Sequence, residues 1–148
     1  MIAFSTNTLP AWPFTAAQRA DRLRRQRDII AILHDEGVPL LLGTDAGVRW
    51  IFPGFSIHTE LSEMVAAGLT PYEALVTGTL NAATYLEAEG TFGVVGTGIR
   101  ADLILLEANP LDDVANVARR VGVMAQGVWM PEATLQERLE EIATAYGR

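Results

Sequence analysis

The chain has 148 residues, no cysteine, two histidines and a net charge of −7, and its eleven basic residues are all arginine. A closed (β/α)8 barrel takes about 250 residues and seldom fewer than about 200, so the chain cannot form one alone. The missing cysteine excludes disulfides, thiolate catalysis and Cys-ligated zinc, the missing lysine excludes Schiff-base chemistry and a P-loop, and a pI near 4.7 lacks the basic footprint of a nucleic-acid binder.

Met1–Phe14 carries Pro10 and Pro13 without periodicity and reads as an arm, with Trp12 and Phe14 as apolar anchors. It has neither the charged start nor the apolar run of a secretory leader. No stretch is long and apolar enough to span a bilayer, so the expected compartment is the cytoplasm, with no membrane partner. Thr15-Ala16-Ala17-Gln18 is a capping box and predicts a helix to about Glu36, stopped by Gly37. Its Arg19–Arg27 patch is interleaved with Asp21 and Asp28 and reads as a solvated face.

Val38–Gly43 is an unbroken apolar run, the pattern of a parallel strand covered on both faces, with Pro39 at its start. Thr44-Asp45 then stands at the carboxyl end of that strand. A second helix is predicted over Ser56–Ala67, with Gly68 as its stop. Thr70-Pro71-Tyr72-Glu73 is another capping box and starts a helix to about Thr77, and a short helix follows near Asn81–Ala88.

The character changes at Gly90. Gly90–Gly98 is too rich in glycine for regular structure, and without a strand before it and a helix after it, it is no dinucleotide fingerprint. Leu103–Leu106 reads as a strand, Val121–Ala125 and Val128–Met130 as a hairpin across Gln126-Gly127, and Pro131–Tyr146 as a closing helix. The order is an arm (1–14), a helical part with one strand (15–90), a small β unit (91–130) and a last helix (131–148).

Four stretches resemble one family. Leu40–Gly47 (LLLGTDAG) resembles the last barrel strand of the metal-dependent amidohydrolase superfamily. Ile57–Leu86 carries that family's His-x-Glu-Leu, Ala-Gly-Leu-Thr-Pro, Glu-Ala-Leu and Thr-x-Asn-x-Ala patterns. Gly93–Asp113 resembles the return into its small β-sandwich, with Ile99 where members carry Lys, and Val121–Met130 resembles its closing hairpin. Order and spacing agree over 36–130, and the finer likeness is to imidazolonepropionase-like and Xaa-Pro-dipeptidase-like members. The resemblance implies an α/β fold: the last strand and helices of a partial (β/α)8 barrel, then a β-sandwich fragment and the carboxy-terminal helix. It covers about the last third of a family member. The His-x-His pair, the bridging Lys or Glu and two further His of the family's metal centre have no counterpart here.

By that resemblance, Asp45 would be a metal ligand and the general base that takes a proton from the attacking water. Zinc is the metal implied for the intact enzyme. For this chain alone the alternative is an Asp that accepts from the Thr44 or Ala46 N–H in a local turn, because one carboxylate rarely holds a zinc. His58 has two readings, a substrate contact or a helix-start histidine bonding locally. His34 suits a helix carboxyl end. Asp102 reads as a turn residue that accepts N–H bonds from the Gly-rich segment, and Asp112-Asp113 as a cap rather than a cation site. Trp50, Phe52 and Phe55 are either pocket walls or packing anchors.

Three functions follow. The first is the carboxy-terminal part of a hydrolase of C–N bonds in amides, cyclic amides or dipeptides, inactive and without metal as an isolated chain. The second is a subunit completed by a separate amino-terminal amidohydrolase chain. The third is a non-catalytic assembly module, and a truncated reading frame with Met1 as an internal start would look the same. The unpaired edges of the Leu40–Leu42 strand predict a homo-oligomer or a complementing chain.

Overall fold

The computed structural model describes residues 14–48 and 51–147. The expected arm, Trp12 included, lies outside these residues except for Phe14, and so does Trp50.

Helix α1 spans Ala16–Asp35 and starts on the predicted capping box: Gln18 N–H donates to Thr15 Oγ1 (3.2 Å) and Thr15 N–H to Gln18 Oε1 (2.8 Å). Gly37, at φ +72°, ends it. None of its residues is buried; Ile29 and Ile32 remain 57% and 61% exposed. Its contacts with the rest include Arg27, whose Nε donates to Glu63 Oε2 at 2.6 Å.

The run after α1 corrects the sequence expectation. Val38–Gly43 is extended, but among the described residues it is not a strand. A ladder needs a neighbouring extended chain, and the one sheet among the described residues is built from β1–β3, farther along. The run is held by helices instead. Leu42 N–H donates to the Thr77 carbonyl (3.2 Å), and the Asn81 side-chain amide donates to the Leu40 carbonyl (2.9 Å). Leu40 and Leu42 face the core while Val38 and Leu41 are exposed, so the run has one covered face rather than two.

Helices α2 (Ser56–Ala66), α3 (Pro71–Thr77) and α4 (Leu80–Tyr85) follow the predicted order. The second capping box forms, with Thr70 and Glu73 exchanging backbone and side-chain bonds. Leu61, Met64, Leu69, Ala74 and Val114 make the buried core, with Leu40, Leu42 and Val117 packed against it. Thr77, buried among them, is satisfied by donating its hydroxyl to the Ala74 carbonyl at 2.6 Å. Gly93 lies against the start of α4, so close that a Cβ there would collide with the Thr79 carbonyl and the Ala83 methyl.

The β unit is a three-stranded antiparallel sheet in the order β1 (Leu103–Leu106), β2 (Arg120–Ala125), β3 (Val128–Pro131). A 3-10 turn at Val114–Ala118, capped by Asp113 as the sequence led one to expect, joins β1 to β2 and carries Val114 into the core. Ala125 pairs with Val128 across the two-residue turn Gln126-Gly127, both at positive φ (50° and 81°), the geometry that suits the twist of a tight hairpin. Helix α5 (Glu132–Tyr146) packs back on β2 and β3, tied by a two-point Arg120–Glu132 ion pair. No described helix is long and apolar enough to cross a membrane.

Candidate functional site

Asp45 stands at the far end of the tethered run. Asn81 and Thr77 fix Leu40 and Leu42, and the Leu42 side chain lies directly over Gly78, where a Cβ would overlap it. The α3–α4 junction therefore sets the direction in which the chain leaves toward Thr44-Asp45. Asp45 is exposed and sits at φ +52°, a left-handed backbone that side-chain-bearing residues seldom adopt but that Asp tolerates better than most. Among the described residues neither the Thr44 nor the Ala46 N–H donates to its carboxylate, so the local-turn reading finds no bond to rest on.

His58 is half-buried on the first turn of α2. Its N–H donates to the Phe55 carbonyl (3.4 Å) and its carbonyl accepts from Ser62 Oγ (2.9 Å). It lines a cavity of about 330 Å3 with Leu42, Leu61 and Arg120, and Asp45 is not among the described residues lining that space. The two candidates thus belong to different surroundings.

The other titratable groups take structural positions. His34 Nε2 lies 3.6 Å from the Glu73 carboxylate. Glu73 itself is held below the ordinary glutamate range, chiefly by the Thr70 hydroxyl and backbone of its capping box. Asp113 caps the 3-10 turn, accepting from Ala115 N–H at 2.9 Å. Asp102 is a turn acceptor as expected, but its donors differ from those expected. They are Gln126 N–H in the hairpin (2.7 Å) and Arg100 Nε (2.5 Å), not the Gly-rich segment. Those bonds hold its carboxyl below the usual range. Phe52 and Phe55 are 53% and 63% exposed, and Phe55 borders a cavity rather than anchoring the core. Glu60, which the sequence offered only as a letter in His-x-Glu-Leu, has its carboxyl pushed up by partial burial, with Glu63 adding to it.

Among the described residues no group of three or more His, Cys, Asp or Glu gathers. A catalytic zinc takes about three protein ligands, and Asp45 supplies one carboxylate, so the residues present do not fit a metal centre by themselves.

Comparison with known proteins gives a consistent neighbourhood. The description "Amidohydrolase family" matches residues 7–130. Ochratoxinase of Aspergillus niger is 38% identical over 80 residues, which are 53% of this chain and 16% of that protein. Among solved structures, a Xaa-Pro dipeptidase with bound methionine superposes with a TM-score of 0.67 at 26% identity, over 80% of this chain and 29% of its own. A bottromycin amidohydrolase gives 0.72 at 29% identity, over 84% of this chain and 28% of its own. Molinate hydrolase gives 0.65 at 25% identity, over 80% and 31%. The chain therefore spans less than a third of each of these relatives.

Proposed function

The chain belongs to the amidohydrolase family, and on that premise we propose that it forms the carboxy-terminal part of a metal-dependent hydrolase acting on C–N bonds of amides, cyclic amides or dipeptides. In this reading 15–90 is the end of a barrel and 91–130 a fragment of its β-sandwich. The reaction takes place in the cytoplasm. Asp45 is this chain's contribution to the reacting centre, as a proton acceptor for water and as one ligand of a zinc whose other ligands come from outside the chain. The zinc would supply the lowered water pKa; the chain supplies the carboxylate and its placement. His58 would be a substrate contact, from a cavity that Asp45 does not line.

The carrying observation is the tether. Asn81 and Thr77 hold Leu40 and Leu42 by single hydrogen bonds where a ladder would otherwise run, and Asp45 projects exposed from the end of that run in a left-handed backbone. Backbone outside any ladder, beside exposed Leu41 and Val38, supports the reading of an edge that a further strand covers. That strand would come from a complementing amino-terminal chain, or from a second copy in a homo-oligomer.

The test mixes the purified chain with a separately produced amino-terminal portion of an amidohydrolase barrel and follows amide and Xaa-Pro dipeptide hydrolysis with zinc present. Turnover by the mixture alone, absent from either chain by itself and lost with Asp45→Asn, is expected. Turnover by this chain alone would overturn the reading. A mixture that is equally active with Asp45→Asn would favour the assembly-module reading instead.

A further inference from the structure

A second feature of the molecule is independent of Asp45. Two neighbouring cavities are lined by residues of α2, the sheet and α5 and share Gly54 and Arg120. One, of about 330 Å3, is walled by apolar side chains that include Leu61 and Ile104; the other, of about 340 Å3, opens toward α5.

Their charge runs against the rest of the chain. The net charge is −7, yet the titratable groups among the described lining residues are His58, Arg120 and Arg138, with no Asp or Glu. Arg120 gives its Nε and one Nη2 hydrogen to Glu132. A guanidinium carries five N–H donors, so the Nη1 side is still available to a second acceptor. Arg138 is exposed and takes part in no ion pair among the described residues. Glu132 largely neutralises Arg120, so the preference for an anion rests on Arg138 and on the Arg120 donors that Glu132 leaves free.

We propose that these two cavities form a binding site for a small monocarboxylate with an apolar body. The carboxylate sits between the Arg120 Nη1 edge and Arg138, and the apolar body fills the chamber against Leu61 and Ile104. Orientation comes from the two guanidinium groups and affinity from apolar burial, the usual division of labour in small-molecule sites. An alcohol of the same length would keep the burial and lose the charge-assisted bonds.

Isothermal titration calorimetry on the full chain tests this with octanoate, octanol and octylamine as probes, each below its self-association concentration. Octanoate is expected to bind at one site, about tenfold or more tighter than octanol, with no binding of octylamine. Arg138→Gln should weaken octanoate about fivefold and leave octanol unchanged. Ile104→Trp, which fills the chamber from a half-exposed strand position, should abolish both. Circular dichroism establishes first that the variants keep wild-type helix content; if Ile104→Trp fails that check, Arg138→Gln decides alone. Equal affinity for octanoate and octanol, or an Arg138→Gln variant that binds octanoate as well as wild type, would overturn the proposal. So would the absence of any octanoate binding. None of these results depends on zinc or on Asp45, so failure here leaves the hydrolase reading untouched.

Discussion

The run 38–43 and the β2–β3 hairpin are held in opposite ways. The hairpin is self-sufficient in backbone bonding: four residue pairs in register, a two-residue turn, and Asp102 accepting from the turn itself. The run has no ladder among the described residues and hangs from α3 and α4 by one backbone and one side-chain bond. Yet the run, not the hairpin, leads to Asp45, the carboxylate on which the proposed function rests. The difference shows that helices can position a run of backbone without a ladder, by a few bonds and apolar packing from one side.

The largest expected effect lies in the core, against which Leu40 and Leu42 of the run pack. Leu61→Ala removes a buried side chain at the centre of α2 and should lower stability by about 2–4 kcal/mol, read as a fall in the urea midpoint. An unchanged midpoint would mean that this core does not hold the fold together.

Next comes the hairpin. A Cβ on Gly122 would fall inside the Trp129 ring across the β2–β3 pair, so Gly122→Ala should cost about 1–3 kcal/mol and shift the near-ultraviolet signal of that indole. The run should be indifferent to this change, as hydrogen exchange at Leu42 would show.

The tether is the reciprocal test. Asn81→Asp keeps the size and removes the donor, leaving the Leu40 carbonyl unpartnered, with a loss of about 1–3 kcal/mol. Exchange protection at Leu42 should fall while the hairpin amides keep theirs. Equal loss in both regions would break the distinction drawn here.

The smallest effect is electrostatic. The folded state holds the Glu73 carboxyl below its ordinary value of 4.5, with the Thr70 hydroxyl as the main cause. Its contribution is therefore present above pH 4.5 and lost as pH falls through the lower folded value. Glu73→Gln preserves the capping box and removes the titration, so its melting temperature should decline less on acidification than that of the wild type. Glu60 has the opposite sign. Its raised carboxyl favours the protonated fold, so Glu60→Gln should raise the melting temperature at neutral pH.

Much of this was legible because it is local. Thr15 with Gln18 and Thr70 with Glu73 announce their helices through bonds that span three residues. Gln126-Gly127 announces the hairpin in the same way. The apolar run at 38–43 was legible as buried-strand sequence, but pairing is a property of the partner, and no sequence inside the run can state whether one is beside it. Asn81 was visible in the Thr-x-Asn-x-Ala pattern without a role, because its acceptor lies forty-one residues away. Asp45 was found through its motif. Its left-handed backbone and its separation from His58 were not, since both depend on how the α3–α4 junction aims the chain.

The central claim is that Asp45 is a placed carboxylate without enough companions among the described residues to hold a metal. Zinc measured by elemental analysis, after the purified chain is loaded with zinc and dialysed extensively, tests it most directly. The account predicts only traces of zinc, equal in the wild type and Asp45→Asn. Stoichiometric zinc in the wild type, lost in Asp45→Asn, would contradict it.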